Sequence, residues 1–143
     1  LVGSEMCIRD SAHSSVETFG DNTLVCMDTK EFRWYKKHDF PVMAFSPQAK
    51  GFFAKLAKGD AANNLPEGQY AGPANLARLA KVKQLSEQTG DTPAKITLGY
   101  LNSQPFFVSS VFAVTKLWQL DEDMEAQDLT YDPKTVAFLE NMI

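Results

Sequence analysis

Apolar positions follow two rhythms along this chain. Pro41-Val42-Met43-Ala44-Phe45 is an unbroken apolar run that stops at Ser46-Pro47, with Gly51 close behind. Phe106-Phe107-Val108-Ser109-Ser110-Val111-Phe112-Ala113-Val114 is a second run. Short runs bounded by turn residues predict buried strands, here over 41–46 and 106–114. Pro41 is tolerable only at the first strand position.

Elsewhere apolar residues recur every three or four positions, the helical rhythm. Asp28-Thr29-Lys30-Glu31 is a capping-box pattern and predicts a helix over 28–38. Phe32 and Tyr35 share its buried side and Trp34 flanks it. Leu76, Leu79, Val82 and Leu85 mark a second helix, and Gly90 stands where its C-terminus wants a left-handed residue. Thr92-Pro93 opens a helix over 93–104 that buries Ile96, Leu98 and Leu101. A helix over 116–127 carries Leu117, Leu120 and Met124 on one side. Asp132-Pro133 starts the last, with Val136, Phe138, Leu139 and Met142. Residues 12–27 read as loop. Residues 50–74 are polar around Gly59, Gly68 and Gly72, with one helical turn at 51–57. A loop that long is more often functional than idle.

Strands separated by long helical segments predict parallel wiring rather than hairpins, and so an α/β fold. Two apolar strands cannot form an autonomous parallel sheet, because such sheets are covered on both faces. The 143 residues also fall short of the roughly 250 of a (β/α)8 barrel. The expected fold is therefore a partial (β/α)8 TIM barrel, a C-terminal fragment rich in helix with about two parallel strands.

The N-terminus supports that expectation. Glu5-Met6-Cys7-Ile8-Arg9-Asp10 resembles the translation of a sequencing-library transposon end, and residues 1–11 lack the basic start and apolar centre of a signal peptide. Residues 1–11 are therefore set apart as adapter-derived, and 12–143 are read as the C-terminal part of one barrel domain whose start lies upstream. Cys26 then stands as the one genuine cysteine, without metal-ligand spacing, which points to a reduced, cytoplasmic setting. A formal net charge of −4 gives no pull toward nucleic acid or an anionic membrane, and no apolar run approaches a membrane span. Oligomeric state is not legible.

Four motifs in order resemble the aldo-keto reductases. The stretch 41–53 is similar to their seventh barrel strand, an aromatic-Ser-Pro followed by glycine. Thr92-Pro93-Ala94 with Ile96-Thr97-Leu98-Gly99-Tyr100-Leu101 resembles a characteristic helix, and Gln104-Pro105 follows as it does there. Val111 onward, with Gln119-Leu120-Asp121-Glu122-Asp123, resembles strand eight and its helix. Trp34-Tyr35 is like an aromatic pair found in one subgroup. The resemblance implies an oxidoreductase that reduces aldehydes or ketones with NADP(H), a small-molecule carbonyl being the other partner.

The residues suit that implied role. Phe45 offers a flat apolar face for a nicotinamide ring. The Ser46 hydroxyl, Pro47 and the amides from Gln48 to Gly51 can meet phosphate oxygens, where glycine permits close approach. Val114 and Thr115 lead into a helix N-terminus that favours an anion. Lys116 can pair with the 2′-phosphate of NADP. Gln119, Glu122 and Asp123 lie on one helix turn and can face an adenine. Three positions depart from the family pattern: Ala113 for a glycine, Asp123 for an asparagine, and Trp118 for a polar residue. An aspartate accepts from an adenine amino group but cannot donate as asparagine does.

No catalytic residue is assigned. The family's tyrosine, lysine, aspartate and histidine lie on earlier strands. His13 and His38 read as surface residues, and Tyr35, Tyr70, Tyr100 and Tyr131 show no lysine-histidine constellation. Ser109 and Ser110 lack a nucleophile elbow, and no metal triad is present. Without that set the fragment is expected to be inactive alone. The rival readings are a non-catalytic NADP-binding relative acting as a regulatory subunit or sensor, and an unrelated small α/β domain complete in 143 residues.

Overall fold

Val42, Ala44 and Phe45 on one strand pair with Val108, Ser110 and Val111 on another, and this parallel pair positions everything else. A computed structural model describes residues 4–5, 25–26, 29–59 and 73–140. Its strands are β1 (Ser4–Glu5), β2 (Val25–Cys26), β3 (Val42–Phe45) and β4 (Val108–Val111), in the order β2-β1-β3-β4 with every pair parallel. The expected long strands are β3 and β4, in register Val42↔Val108 to Phe45↔Val111. The two-residue strands extend the sheet: β1 falls inside the segment set apart as adapter-like, and β2 places a short strand at the end of the 12–27 stretch that the sequence reads as loop.

The helices are α1 (Thr29–His38), α2 (Phe52–Ala57), α3 (Pro73–Thr89), α4 (Pro93–Asn102), α5 (Leu117–Glu125) and α6 (Pro133–Glu140). A 3-10 turn, Ala49–Gly51, precedes α2. Local chemistry sets the ends. The Thr92 hydroxyl accepts from the Lys95 amide at 3.3 Å while Pro93 occupies the first turn. Gly90, at φ +79°, closes α3 by donating to the Ser86 carbonyl at 2.9 Å. The expected strands and helices stand, with ends shifted by one to three residues.

The core joins Phe32, Val42, Ala44, Phe52, Ile96 and Tyr100, with Leu101, Phe106 and Leu139 beside them. Phe32 meets Phe106 edge-on at 5.6 Å, fixing α1 under the sheet. Lys81 ties α3 to α6, donating to the Phe138 carbonyl at 2.8 Å. No helix among the described residues is long and apolar enough to cross a membrane.

Three expectations change. First, burial along β3 alternates: Val42 and Ala44 are buried while Met43 and Phe45 are exposed. The helices cover one sheet face, and no described residue covers the other, so burial on both faces is not seen. Second, Leu76 points outward, and α3 instead turns Asn75 and Arg78 inward, where Arg78 donates to Asn75 Oδ1 at 3.2 Å. Third, α5 presents its apolar stripe outward. Leu117 is 75% exposed, and Leu120 and Met124 are exposed too, while Asp123 and Ala126 are buried. The capping residue Asp28, the C-terminal Met142 and the loop glycines Gly68 and Gly72 lie outside the described residues.

Candidate functional site

Parallel pairing brings the C-terminal ends of β3 and β4 to the same sheet edge. A cavity of about 740 Å³ opens there, within the range of small-molecule sites. Its walls come from the loop after β3, from α2, from the first turn of α4, and from the β4–α5 segment.

The loop after β3 is built under strain. Ser46 (φ +59°), Ala49 (+50°), Lys50 (+54°) and Gly51 (+77°) all adopt left-handed conformations. Only the last is a glycine, and each of the others costs about 1–3 kcal/mol. Such conformations persist where surrounding contacts enforce them. Pro47 and Ala49 are buried here, and the Ala49 and Gly51 amides donate to the Ser46 and Gln48 carbonyls, both at 2.9 Å. Those two amides are thus engaged within the turn and do not face an anion, unlike the sequence expectation for 48–51. A Cβ on Gly51 would lie 3.4 Å from Lys55 Cε, so the Lys55 stem passes over the turn.

Gln48 reaches across the cavity and donates its side-chain amide to Asp123 Oδ1 at 2.5 Å. Asp123 is only 4% exposed. Burial pushes its carboxyl above the ordinary carboxylate value; the Gln48 bond opposes that shift, and the charge of Glu122 adds to it.

At the start of α5, Gln119 folds back. Its Oε1 accepts from the Lys116 amide at 2.9 Å, the Thr115 amide at 3.0 Å and the Thr115 hydroxyl at 3.2 Å. Gln119 therefore caps the helix N-terminus, and its carbonyl oxygen is engaged there rather than presented to a base. Trp118, 53% exposed, stands at the cavity wall, with Lys58 Nζ over its ring at 5.0 Å.

The structure brings Phe45, Ser46, Pro47, Gln48, Gly51, Val114, Thr115, Gln119, Glu122 and Asp123 to this one cavity. Phe45 lies 49% exposed at its edge. Lys116 is the exception: it precedes α5 with its side chain outside the lining. The cations on the wall are Lys50, Lys55 and Lys58. Sequence reading assigned none of these three side chains to the site, although Lys55 and Lys58 stand three apart just after the loop, on one helical face. It also missed Pro93, Ala94 and Thr97 as wall residues.

The described tyrosines serve the scaffold. Tyr100 donates to Glu140 at 3.0 Å and Tyr131 to Asp91 at 3.1 Å; neither they nor Tyr35 line the cavity. His38 stacks near Trp34, with ring centroids 4.6 Å apart, at the end of α1. His13 and Tyr70 lie outside the described residues. No cluster of three or more His, Cys, Asp or Glu suited to a metal ion occurs among the described residues. Compared with known protein families, residues 26–143 match the sequence model of the Aldo/keto reductase family, which is most of the chain.

Proposed function

Because the chain belongs to the aldo/keto reductase family of oxidoreductases, we propose that its cavity holds a nicotinamide dinucleotide, NADP(H), for the reduction of an aldehyde or ketone. When bound, the dinucleotide supplies the hydride, which passes to the carbonyl carbon while a proton goes to the oxygen. The observation that carries this reading is the convergence of both strand ends on one cavity. That cavity has a half-exposed aromatic platform at Phe45 and three lysines on its wall.

The residues fit the group. The volume suits a ligand of this kind, though not all of a dinucleotide need lie within it. Phe45 would carry the nicotinamide ring. Ser46, Pro47, Gln48 and Gly51 would follow the pyrophosphate on one side, with Val114 and Thr115 on the other. Glu122 and Asp123 would approach the adenine, and Gln119 would hold the helix start in place. This reading assigns the chain cofactor binding and no general acid, in a reduced, cytoplasmic setting.

The test is titration of the 143-residue chain with NADPH, followed by its fluorescence, and with NADH for comparison. Saturable binding with NADPH preferred, and no aldehyde-dependent oxidation of NADPH, is the expected result. Absence of saturable binding to either dinucleotide would overturn the proposal.

A further inference from the structure

We propose that α1 of one copy docks on α5 of a second copy of this chain, an aromatic and basic face on the first helix meeting an apolar and acidic face on the second.

The face on α1 is a built feature. Arg33, Trp34, Lys37 and His38 recur at spacings of three and four, so they share one side, and all are exposed. Asp39, at φ +48°, turns the chain back after the helix, and the Phe40 amide donates to the Tyr35 carbonyl at 3.3 Å. That turn brings the Phe40 ring to 5.7 Å from Trp34, while the His38 ring approaches the same indole at 4.6 Å. Trp34 and Phe40 are both exposed and neither belongs to the core. A non-glycine residue in a left-handed conformation therefore holds an aromatic cluster open to solvent. The helix around it carries Lys30, Arg33, Lys36 and Lys37 against one acidic residue, Glu31, in a chain whose formal net charge is −4.

The face on α5 is its counterpart. Leu117, Leu120, Asp121 and Met124 lie at i, i+3, i+4 and i+7, and all are exposed. The helix carries Asp121, Glu122, Asp123 and Glu125 and no basic residue. No ion pair is described for Arg33, Lys37 or Asp121. Each face thus has apolar side chains beside a charge, and the charges are opposite. Charge selects the pairing: α1 on α1, or α5 on α5, would set like charges together. Both faces are open in a single copy, so they do not meet within one chain. Because they differ, the contact is heterologous, and copies join in closed rings or in longer chains. Tryptophan and arginine are the side chains that most often dominate such contacts. One helix pair buries little surface, so the association is weak and depends on concentration.

The test is sedimentation of the full chain over a range of concentrations. The average mass should rise above the 15.9 kDa of one copy as concentration increases. Raising salt from about 50 mM to about 500 mM should lower it, because screening shortens the reach of the charges. Arg33→Glu and Asp121→Lys should each weaken self-association by about tenfold, and an equal mixture of the two variants should restore it, since the reversed charges then oppose one another across the contact. All these side chains are exposed, so circular dichroism of the variants should match the parent. A single-copy mass at every concentration overturns the proposal. So does association that persists in high salt and ignores both reversals, which is the behaviour of the apolar sheet face. Failure of the mixture to associate overturns it as well.

Discussion

Gln48 and Asp123, 75 residues apart in sequence, share a 2.5 Å hydrogen bond that joins the strained loop after β3 to helix α5 across the mouth of the cavity. The acceptor is a buried carboxylate, so removing the donor leaves it without this partner. Gln48→Ala should destabilise the fold by about 1–3 kcal/mol, read as a lowered urea midpoint. An unchanged midpoint would show that the loop is held by its turn bonds alone.

The Asp123 carboxyl is raised above its ordinary 3.8, chiefly by burial. A group raised in the folded state contributes stability that is fully present below its unfolded value and lost as pH rises through the folded one. Asp123→Asn removes that titration, and its side-chain oxygen can still accept from Gln48. The variant should be at least as stable as the parent at neutral pH, with its advantage shrinking as pH falls toward the ordinary carboxylate value. Denaturation midpoints across pH 3–7 check this, and a variant advantage that grows toward acid would refute it.

Much of this fold was legible because its signals are local. Thr92-Pro93 and Gly90 mark helix ends through bonds made within four residues. The 41–45 run announced both a strand and the loop beyond it. The side on which a helix meets its neighbours is a non-local property, and there the pattern misled. Leu117, Leu120 and Met124 form a proper apolar stripe, yet α5 turns Asp123 inward because Gln48 meets it from another segment. Lys116 and Lys58 differ for the same reason. Spacing within a motif favoured the first, while the second, just after α2, comes over Trp118 through an approach of segments 60 residues apart.

Phe45 separates binding from stability. It stands half exposed on the sheet face that no described residue covers, so Phe45→Ala should shift stability by no more than about 1 kcal/mol. Loss of an aromatic platform should weaken NADPH binding by about tenfold, in line with the worth of one stacked ring. Equal affinity for parent and variant, measured by NADPH fluorescence, would remove Phe45 from the site.

The face of β3 and β4 that no described residue covers bears on association. Phe45 lies beside Val111 and Met43 beside Ser109, and Phe107 just before β4 is 70% exposed. Contiguous apolar surface of this kind promotes association. Phe107→Ser should leave the unfolding midpoint within about 0.5 kcal/mol of the parent and raise the concentration at which light scattering appears. Unaltered scattering would locate the adhesive surface elsewhere, on the exposed stripe of α5.

Gly99 and Tyr131 make a final, purely structural test. A Cβ at Gly99 would lie 2.8 Å from Tyr131 Cε2 and 2.9 Å from Leu129 Cγ, so the chain after α5 packs directly on the α4 backbone. Gly99→Ala should cost about 1–3 kcal/mol by overpacking. Tyr131 is anchored there by its bond to Asp91, and burial, with the Asp91 charge added, pushes its phenol well above the ordinary 10.0. Stability from this group is complete below that value and is lost as pH rises beyond it. The parent chain should therefore weaken steeply above pH 10, whereas Tyr131→Phe, less stable at neutral pH, should lose that alkaline slope. Parallel pH profiles for the two chains would show that Tyr131 titrates normally and that the contact with Asp91 contributes nothing.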